Sequence, residues 1–212
     1  MNARIVKTEQ DSVNKEAVRL GADVLSRGGL LIFPTETVYG IGVDAFNADA
    51  IASLYQKKRR PYDKPLLMHI NGLEMAEGIG ELDDKARELI RRFTPGPLTL
   101  VVRKKQCVPS IAVSGGETVG LRFPSNGYFI ELCREFGSPI AATSANLSGS
   151  RSVSDADSLD EVLSVADLVI DGGECELGLE STIVSLVGER PKILRQGSFP
   201  REMIEEVLGK CE

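Results

Sequence analysis

Short apolar runs that alternate with helical periods set the strongest constraint on the fold of this chain. Leu30–Phe33 reads as a buried strand, and Leu66–Ile70, Leu98–Val102, Pro139–Thr143 and Leu168–Asp171 read as strands of similar length. Arg4–Lys7 and Thr118–Pro124 read as further strands, an acidic loop leads to Glu180–Val184, and Lys192–Gly197 is a last strand and turn. Between them lie helical patterns. Asp11 or Ser12 is expected to cap a helix whose apolar positions are Val13, Ala17, Leu20, Val24 and Leu25, ended by Gly28-Gly29. Asn47 is expected to cap Ala48–Lys58, and Asp83–Phe93 turns Ala86, Leu89, Ile90 and Phe93 inward. Tyr128–Phe136, Leu159–Val165 and Pro200–Leu208 are further helices. Mixed strands and helices in this order imply an α/β sheet protein. With no repeat, no low-complexity stretch and no linker, residues 1–212 read as one domain.

Against a net charge of -6, one stretch stands out. Lys57-Lys58-Arg59-Arg60-Pro61-Tyr62-Asp63-Lys64 packs cations around a proline, just ahead of a strand that holds the single histidine, His69. Pro61 disfavours helix at Arg60, so the preceding helix is expected to stop near Lys58 or Arg59. An extended backbone would then turn Lys58 and Arg60 to one side, a pair suited to a polyphosphate. The bland alternative is a solvated helix end whose cations complement the macrodipole.

Two loops leave strand ends, where ligands of α/β proteins tend to bind. Pro34–Gly42 carries Thr35, Glu36, Thr37 and Tyr39, and Ser144–Ser150 carries hydroxyls and an amide around a potential anion nest. Cys107–Glu117 reads as a flexible loop. Other chemistries lack their signatures. No P-loop, dinucleotide fingerprint, nucleophile elbow or zincin motif is present, and four isolated cysteines with one histidine do not make a zinc site. A polar start and no membrane-length apolar run lead to the expectation of a reduced, cytoplasmic protein with no membrane association. What remains is a set of donors and cations with no evident nucleophile, suited to holding nucleotide and carboxylate together and to catalysis by proximity and charge stabilisation.

Phe33-Pro34-Thr35-Glu36-Thr37-Val38-Tyr39-Gly40, Lys58-x-Arg60-Pro61 with Pro65-Leu66 and His69-Ile70, Pro95-Gly96-Pro97-Leu98-Thr99, Ser144-Ala145-Asn146-Leu147-Ser148-Gly149, Asp171-Gly172-Gly173 and Glu180-Ser181-Thr182-Ile183-Val184 together resemble the YrdC/TsaC family of threonylcarbamoyl-AMP synthases. The resemblance spans nearly the whole chain. It implies a YrdC-like twisted mixed β-sheet with flanking helices and a basic concave cleft. It implies that L-threonine, bicarbonate and ATP, with Mg²⁺, yield threonylcarbamoyl-adenylate and pyrophosphate. Downstream transferase proteins then modify the adenosine beside the tRNA anticodon. By the resemblance, Lys58, Arg60, Ser144 and Asn146 form a catalytic tetrad, and Arg60, Lys64, Thr118, Ser144, Asn146, Ser152 and Arg195 surround ATP. Threonine is held by Thr37, His69, Arg122, the backbone near Ala142, and the hydroxyls of Ser181 or Thr182. No resident metal ligands are implied.

Longer relatives carry a further C-terminal domain that this length is not expected to hold. Two positions depart from the family pattern. Asn126-Gly127 stands where a histidine and proline are usual, and Gln196 replaces the proline of Arg-Pro-Gly. Rival readings are an RNA-binding module using the same basic cleft, with affinity for tRNA, and a carbamoyl-adenylating domain. The second is disfavoured because the acylphosphatase-like and zinc-finger segments that accompany such domains are missing.

Overall fold

The computed structural model describes residues 3–9, 13–147 and 149–212. Chain order is β1 (Arg4–Lys7), α1 (Lys15–Ser26), β2 (Leu31–Phe33), β3 (Gly40–Asp44), α2 (Ala48–Lys57), β4 (Leu67–His69), α3 (Leu73–Ile79), β5 (Gly80–Glu81), α4 (Asp84–Phe93) and β6 (Gly96–Lys104). It continues through β7 (Thr118–Phe123), α5 (Gly127–Phe136), β8 (Ile140–Ser144), α6 (Asp160–Leu163), β9 (Leu168–Asp171), β10 (Thr182–Ser185), β11 (Lys192–Arg195) and α7 (Arg201–Leu208).

Among the described residues the strands form one mixed sheet in the order β1-β9-β2-β3-β8-β4-β7-β6-β10-β11, with β5 beside β6. Parallel pairs (β1 with β9, β9 with β2, β4 with β7, β6 with β10) flank a run of antiparallel ones from β2 through β3 and β8 to β4. Both faces of the central strands are covered, because successive side chains point to opposite sides. Leu31 and Phe33 of β2, Ile140 and Ala142 of β8, and Leu168 and Ile170 of β9 pack under α1 and α5. Ile32, Ala141 and Val169 face the other core, with α2, α4 and α7. The α1–α5 contact is close because Gly21 leaves room: a Cβ there would meet the Tyr128 hydroxyl and Leu132.

Several local features differ from the sequence expectation. The caps proposed at Asp11 and Ser12 lie outside the described residues; α1 is capped by Asn14, which accepts from the Glu16 and Ala17 amides at 3.0 and 3.2 Å. The loop expected from Pro34 to Gly42 ends at Tyr39, and Gly40–Asp44 is a buried strand between β2 and β8. The expected flexible loop Cys107–Glu117 is instead anchored. Ser110–Val113 makes a 3₁₀ turn, Val108, Ala112 and Val113 are buried, and the Ala112 carbonyl accepts from Leu66 N at 2.9 Å. The Leu159–Val165 helix shortens to α6, preceded by a 3₁₀ turn over Ala156–Ser158. Helix α3 and its short partner strand β5 were not expected. No helix among the described residues is long and apolar enough to cross a membrane.

Candidate functional site

The cationic stretch reaches one place by a route other than the extended backbone expected. Lys58 keeps helical dihedrals (φ -77, ψ -8) as the cap of α2, and Arg59 takes a left-handed conformation (φ 51). That turn sends the Lys58 and Arg60 side chains to the end of β8. Lys58 is 1% exposed, and its Nζ donates to the Ser144 carbonyl at 2.5 Å. Arg60 donates from Nη1 to Thr143 Oγ1 at 3.1 Å, and from Nε and Nη2 to the Lys64 and Pro65 carbonyls. Beyond β8, Ser144 Oγ donates to Asn146 Oδ1 at 2.5 Å, and Asn146 Nδ2 donates to the Leu147 and Ser150 carbonyls at 2.9 and 2.6 Å. Lys58, Ser144 and Asn146 thus form one hydrogen-bonded chain around a strand end, with Arg60 beside it on Thr143. Burial, then the neighbouring Arg60 charge, pushes the Lys58 ammonium down to about 7, while Glu180 opposes the fall.

A cavity of about 410 Å³ opens beside this strand end, within the usual size range of small-molecule sites. Arg60, Thr118, Ser144 and Arg195 line it, as do Thr37, His69, Arg122, Ala142 and Ser181. The other site residues predicted from sequence are not in its wall. Lys58 and Asn146 stand behind it in the hydrogen-bonded chain just described. The Lys64 side chain is exposed, and its carbonyl serves Arg60 and the Tyr55 hydroxyl. Ser152 Oγ donates to Glu180 Oε1 at 2.5 Å. Thr182 is fully buried and turned toward the chain that follows β11. Its hydroxyl donates to the Phe199 carbonyl at 2.7 Å and accepts from the Gly197 and Phe199 amides at 2.9 and 3.1 Å.

Arg122 comes from β7 and is 2% exposed. Its Nη2 donates to Glu36 Oε1 at 2.7 Å and to Thr37 Oγ1 at 3.4 Å, and its Nη1 donates to the Gly96 carbonyl. His69, its neighbour across the β4–β7 pair, packs edge-on against Phe33 and Phe129. Burial, and then the Arg122 charge, holds the imidazole down to about 3, so it is neutral. Arg195 donates from Nη1 to Glu180 and from Nη2 to Ser181 Oγ at 3.3 Å, and Ser181 Oγ lies 2.8 Å from Thr99 Oγ1. Two of the three arginines lining the cavity therefore carry a glutamate partner, which tempers the basic cleft implied by sequence. Glu36 and Glu180 were missed as site residues. Each sits inside a quoted motif, but a lone carboxylate in a loop gives no signal of the arginine it will meet.

Tyr39 ties the 172–173 turn to the site: its buried hydroxyl donates to the Gly173 carbonyl at 2.7 Å and accepts from Gly172 N at 3.0 Å. The two departures from the family pattern have local partners. Asn126 caps α5 through the Phe129 amide, and the Gln196 amide donates to the Phe199 carbonyl at 2.8 Å, a bond proline cannot make. Gly197 is required where that turn passes the residues just ahead of β10, since a Cβ would run into the Glu180 carbonyl.

A mixed α/β sheet with arginines, hydroxyls and a neutral histidine around one cavity defines a protein with a polar small-molecule pocket. Comparison with known proteins narrows this. The model of the Sua5/YciO/YrdC family, described as "Telomere recombination", matches residues 23–197, and the chain belongs to that family. It is 38% identical over 208 residues to the threonylcarbamoyl-AMP synthase of Pyrococcus abyssi, covering 97% of this chain and 61% of that protein. It is 41% identical over 206 residues to the synthase of Bacillus subtilis, covering 95% of this chain and 59% of the relative. The crystal structure of P. abyssi Sua5 complexed with L-threonine superposes with a TM-score of 0.93 at 37% identity, over 100% of this chain and 62% of that one. The chain thus spans about three-fifths of the length of these relatives.

Proposed function

We propose that this protein is an L-threonylcarbamoyladenylate synthase, a nucleotidyltransferase that joins L-threonine, bicarbonate and ATP. One observation carries the reading: the residues assigned by resemblance to the nucleotide (Arg60, Thr118, Ser144, Arg195) and to threonine (Thr37, His69, Arg122, Ala142, Ser181) line a single cavity. The P. abyssi relative crystallised with L-threonine supports the same substrate.

In this reading the threonine carboxylate meets the Arg122 guanidinium, which has five N–H donors and keeps some beyond those engaged by Glu36, Thr37 and Gly96. Neutral His69 and Ser181 offer uncharged polar groups to the hydroxyl. The threonine ammonium gives a proton to bicarbonate, which becomes carbon dioxide and water, and the free amine adds to that carbon dioxide and releases a second proton to solvent. The resulting carbamate oxygen attacks the α-phosphorus, and the bond to the departing pyrophosphate breaks. Arg60 and Arg195 stabilise the charge that develops on the phosphates, and no covalent enzyme intermediate is required.

Among the described residues no group of three or more His, Cys, Asp or Glu side chains is placed to hold a metal ion. Glu180 is the carboxylate that lines the cavity, and it is engaged by Arg195 and Ser152. This donor set fits Mg²⁺ carried in on the nucleotide, which needs only one or two carboxylates besides phosphate and water. Such an ion would supply charge neutralisation at pyrophosphate. The adenylate would then be consumed by a transferase acting on tRNA.

The test is incubation with L-threonine, labelled bicarbonate, ATP and Mg²⁺, followed by chromatography for a labelled adenylate and assay of pyrophosphate. Pyrophosphate release that depends on both threonine and bicarbonate is expected. Equal ATP turnover without threonine overturns the reading.

A further inference from the structure

We propose that Glu36 is a specificity-determining residue: by neutralising Arg122 within the cavity wall, it makes the site select a zwitterionic amino acid over the corresponding plain hydroxy acid. The inference rests on the threonine site proposed above and deepens it.

Glu36 is fixed from both sides. Within its turn, Thr35 Oγ1 donates to the Val38 carbonyl at 2.6 Å and accepts from the Thr37 and Val38 amides at 3.2 Å. From outside, Leu177 N donates to the Glu36 carbonyl at 2.8 Å. The side chain therefore has one course, inward, where Oε1 meets Arg122 Nη2 at 2.7 Å with both side chains almost wholly buried (2% and 4% exposed). A guanidinium buried this deeply stays protonated, and without a partner it would carry a heavy desolvation cost. Glu36 removes that cost in the ligand-free protein.

The pair also sets the charge that a ligand meets. Arg122 and Glu36 sum to zero, His69 beside them is neutral, and Arg195 is paired with Glu180; Arg60, the third lining arginine, has no carboxylate partner among the described residues and sits at the end of β8, on Thr143. A hydroxy acid held by Arg122 would add a negative charge beside a buried pair that already sums to zero. A zwitterion adds none. Moreover, Glu36 Oε2 is buried with no hydrogen-bond partner among the described residues, so no other donor absorbs its charge. Its field acts on whatever binds Arg122, favouring a ligand that brings an ammonium group with its carboxylate.

The experiment is calorimetric binding of L-threonine and of 3-hydroxybutanoate, which lacks only the amine, to the wild-type protein and to Glu36→Gln. Glutamine keeps the shape and an oxygen acceptor for Arg122 while removing the charge. The wild type is expected to prefer threonine by at least about tenfold, the scale of one charge pair in a partly buried site. In Glu36→Gln that preference is expected to fall about tenfold, because the hydroxy acid gains and the zwitterion loses. A folded Glu36→Gln protein in which both ligands weaken alike overturns the proposal and leaves Glu36 a purely structural partner. If Glu36→Gln does not fold, the wild type still decides: near-equal affinity for the two ligands overturns it. A wild type that binds neither ligand refutes the threonine site itself, an outcome distinct from the failure of Glu36 to discriminate.

Discussion

Replacing Lys58 by Met is expected to make the protein more stable while making it a worse enzyme. The side chain is 1% exposed, and among the described residues its one hydrogen bond runs to the Ser144 carbonyl. Holding a buried ammonium at about 7 against an ordinary 10.5 corresponds to about 5 kcal/mol of destabilisation below pH 7. Methionine removes that term, fills the same space, and loses one hydrogen bond of about 0.5–1.5 kcal/mol. The sign of the pH dependence follows. Between pH 7 and 10.5 the unfolded chain binds a proton at Lys58 that the folded one does not, so wild-type stability gains from this group as pH rises. Urea melts of both proteins at pH 6.5, 8 and 9.5 measure it. Lys58→Met should lead by a few kcal/mol at pH 6.5, and the gap should narrow by about 2–3 kcal/mol at pH 9.5. Its catalytic efficiency toward ATP should fall by about one to two decades, because the strand end that carries Ser144 loses its anchor. A variant less stable than wild type at pH 6.5, or a gap that does not change with pH, refutes the reasoning.

Three further outcomes are expected. Arg60→Ala should lower kcat/KM for ATP by about one to two decades with little change in melting temperature, Asn146→Ala should do likewise, and the double variant should fall short of their product because both act on one strand end; strict multiplicativity would separate them. Thr182→Val should cost about 2–4 kcal/mol in denaturant melts, since the Gly197 and Phe199 amides lose their buried acceptor. As pH falls from 6.5 toward 3, the unfolded chain takes up a proton that buried His69 refuses, so stability should drop across that window and His69→Phe should flatten the drop in acid melts.

The apolar runs and helical periods were legible because burial on one or both faces leaves a pattern: Ala86, Leu89, Ile90 and Phe93 all face inward as their spacing requires. Strand β3 was not. Gly40 and Gly42 look like turn residues, and only the close approach of Ile140 and Ala142 explains why a strand needs glycine at position 42. The loop over Cys107–Glu117 carries Gly-Gly and serine, yet Val108, Ala112 and Val113 hold it down, and three scattered apolar residues give no period. At the site, the meeting of Lys58 and Arg60 was foreseen but its route was not, because a left-handed arginine at position 59 has no sequence marker. The glutamates beside Arg122 and Arg195 are pairings across more than a dozen residues, invisible until the sheet brings them together.

The strand order carries a consequence for synthesis. Among the described residues β1 pairs only with β9, Arg4 opposite Leu168, and β9 also forms one side of β2. A ribosome must therefore make about 165 further residues after β1 before that strand has a partner, a matter of about ten to thirty seconds at ordinary elongation rates. Until Asp171 emerges, Leu31–Phe33 has an open edge and the apolar face of α1 is only partly covered. The cavity itself waits longer, because Ser181, just ahead of β10, and Arg195, at the end of β11, are among the last of its lining to be made. A nascent chain stalled in this interval offers proteases and aggregation partners the surfaces that the finished sheet keeps inside.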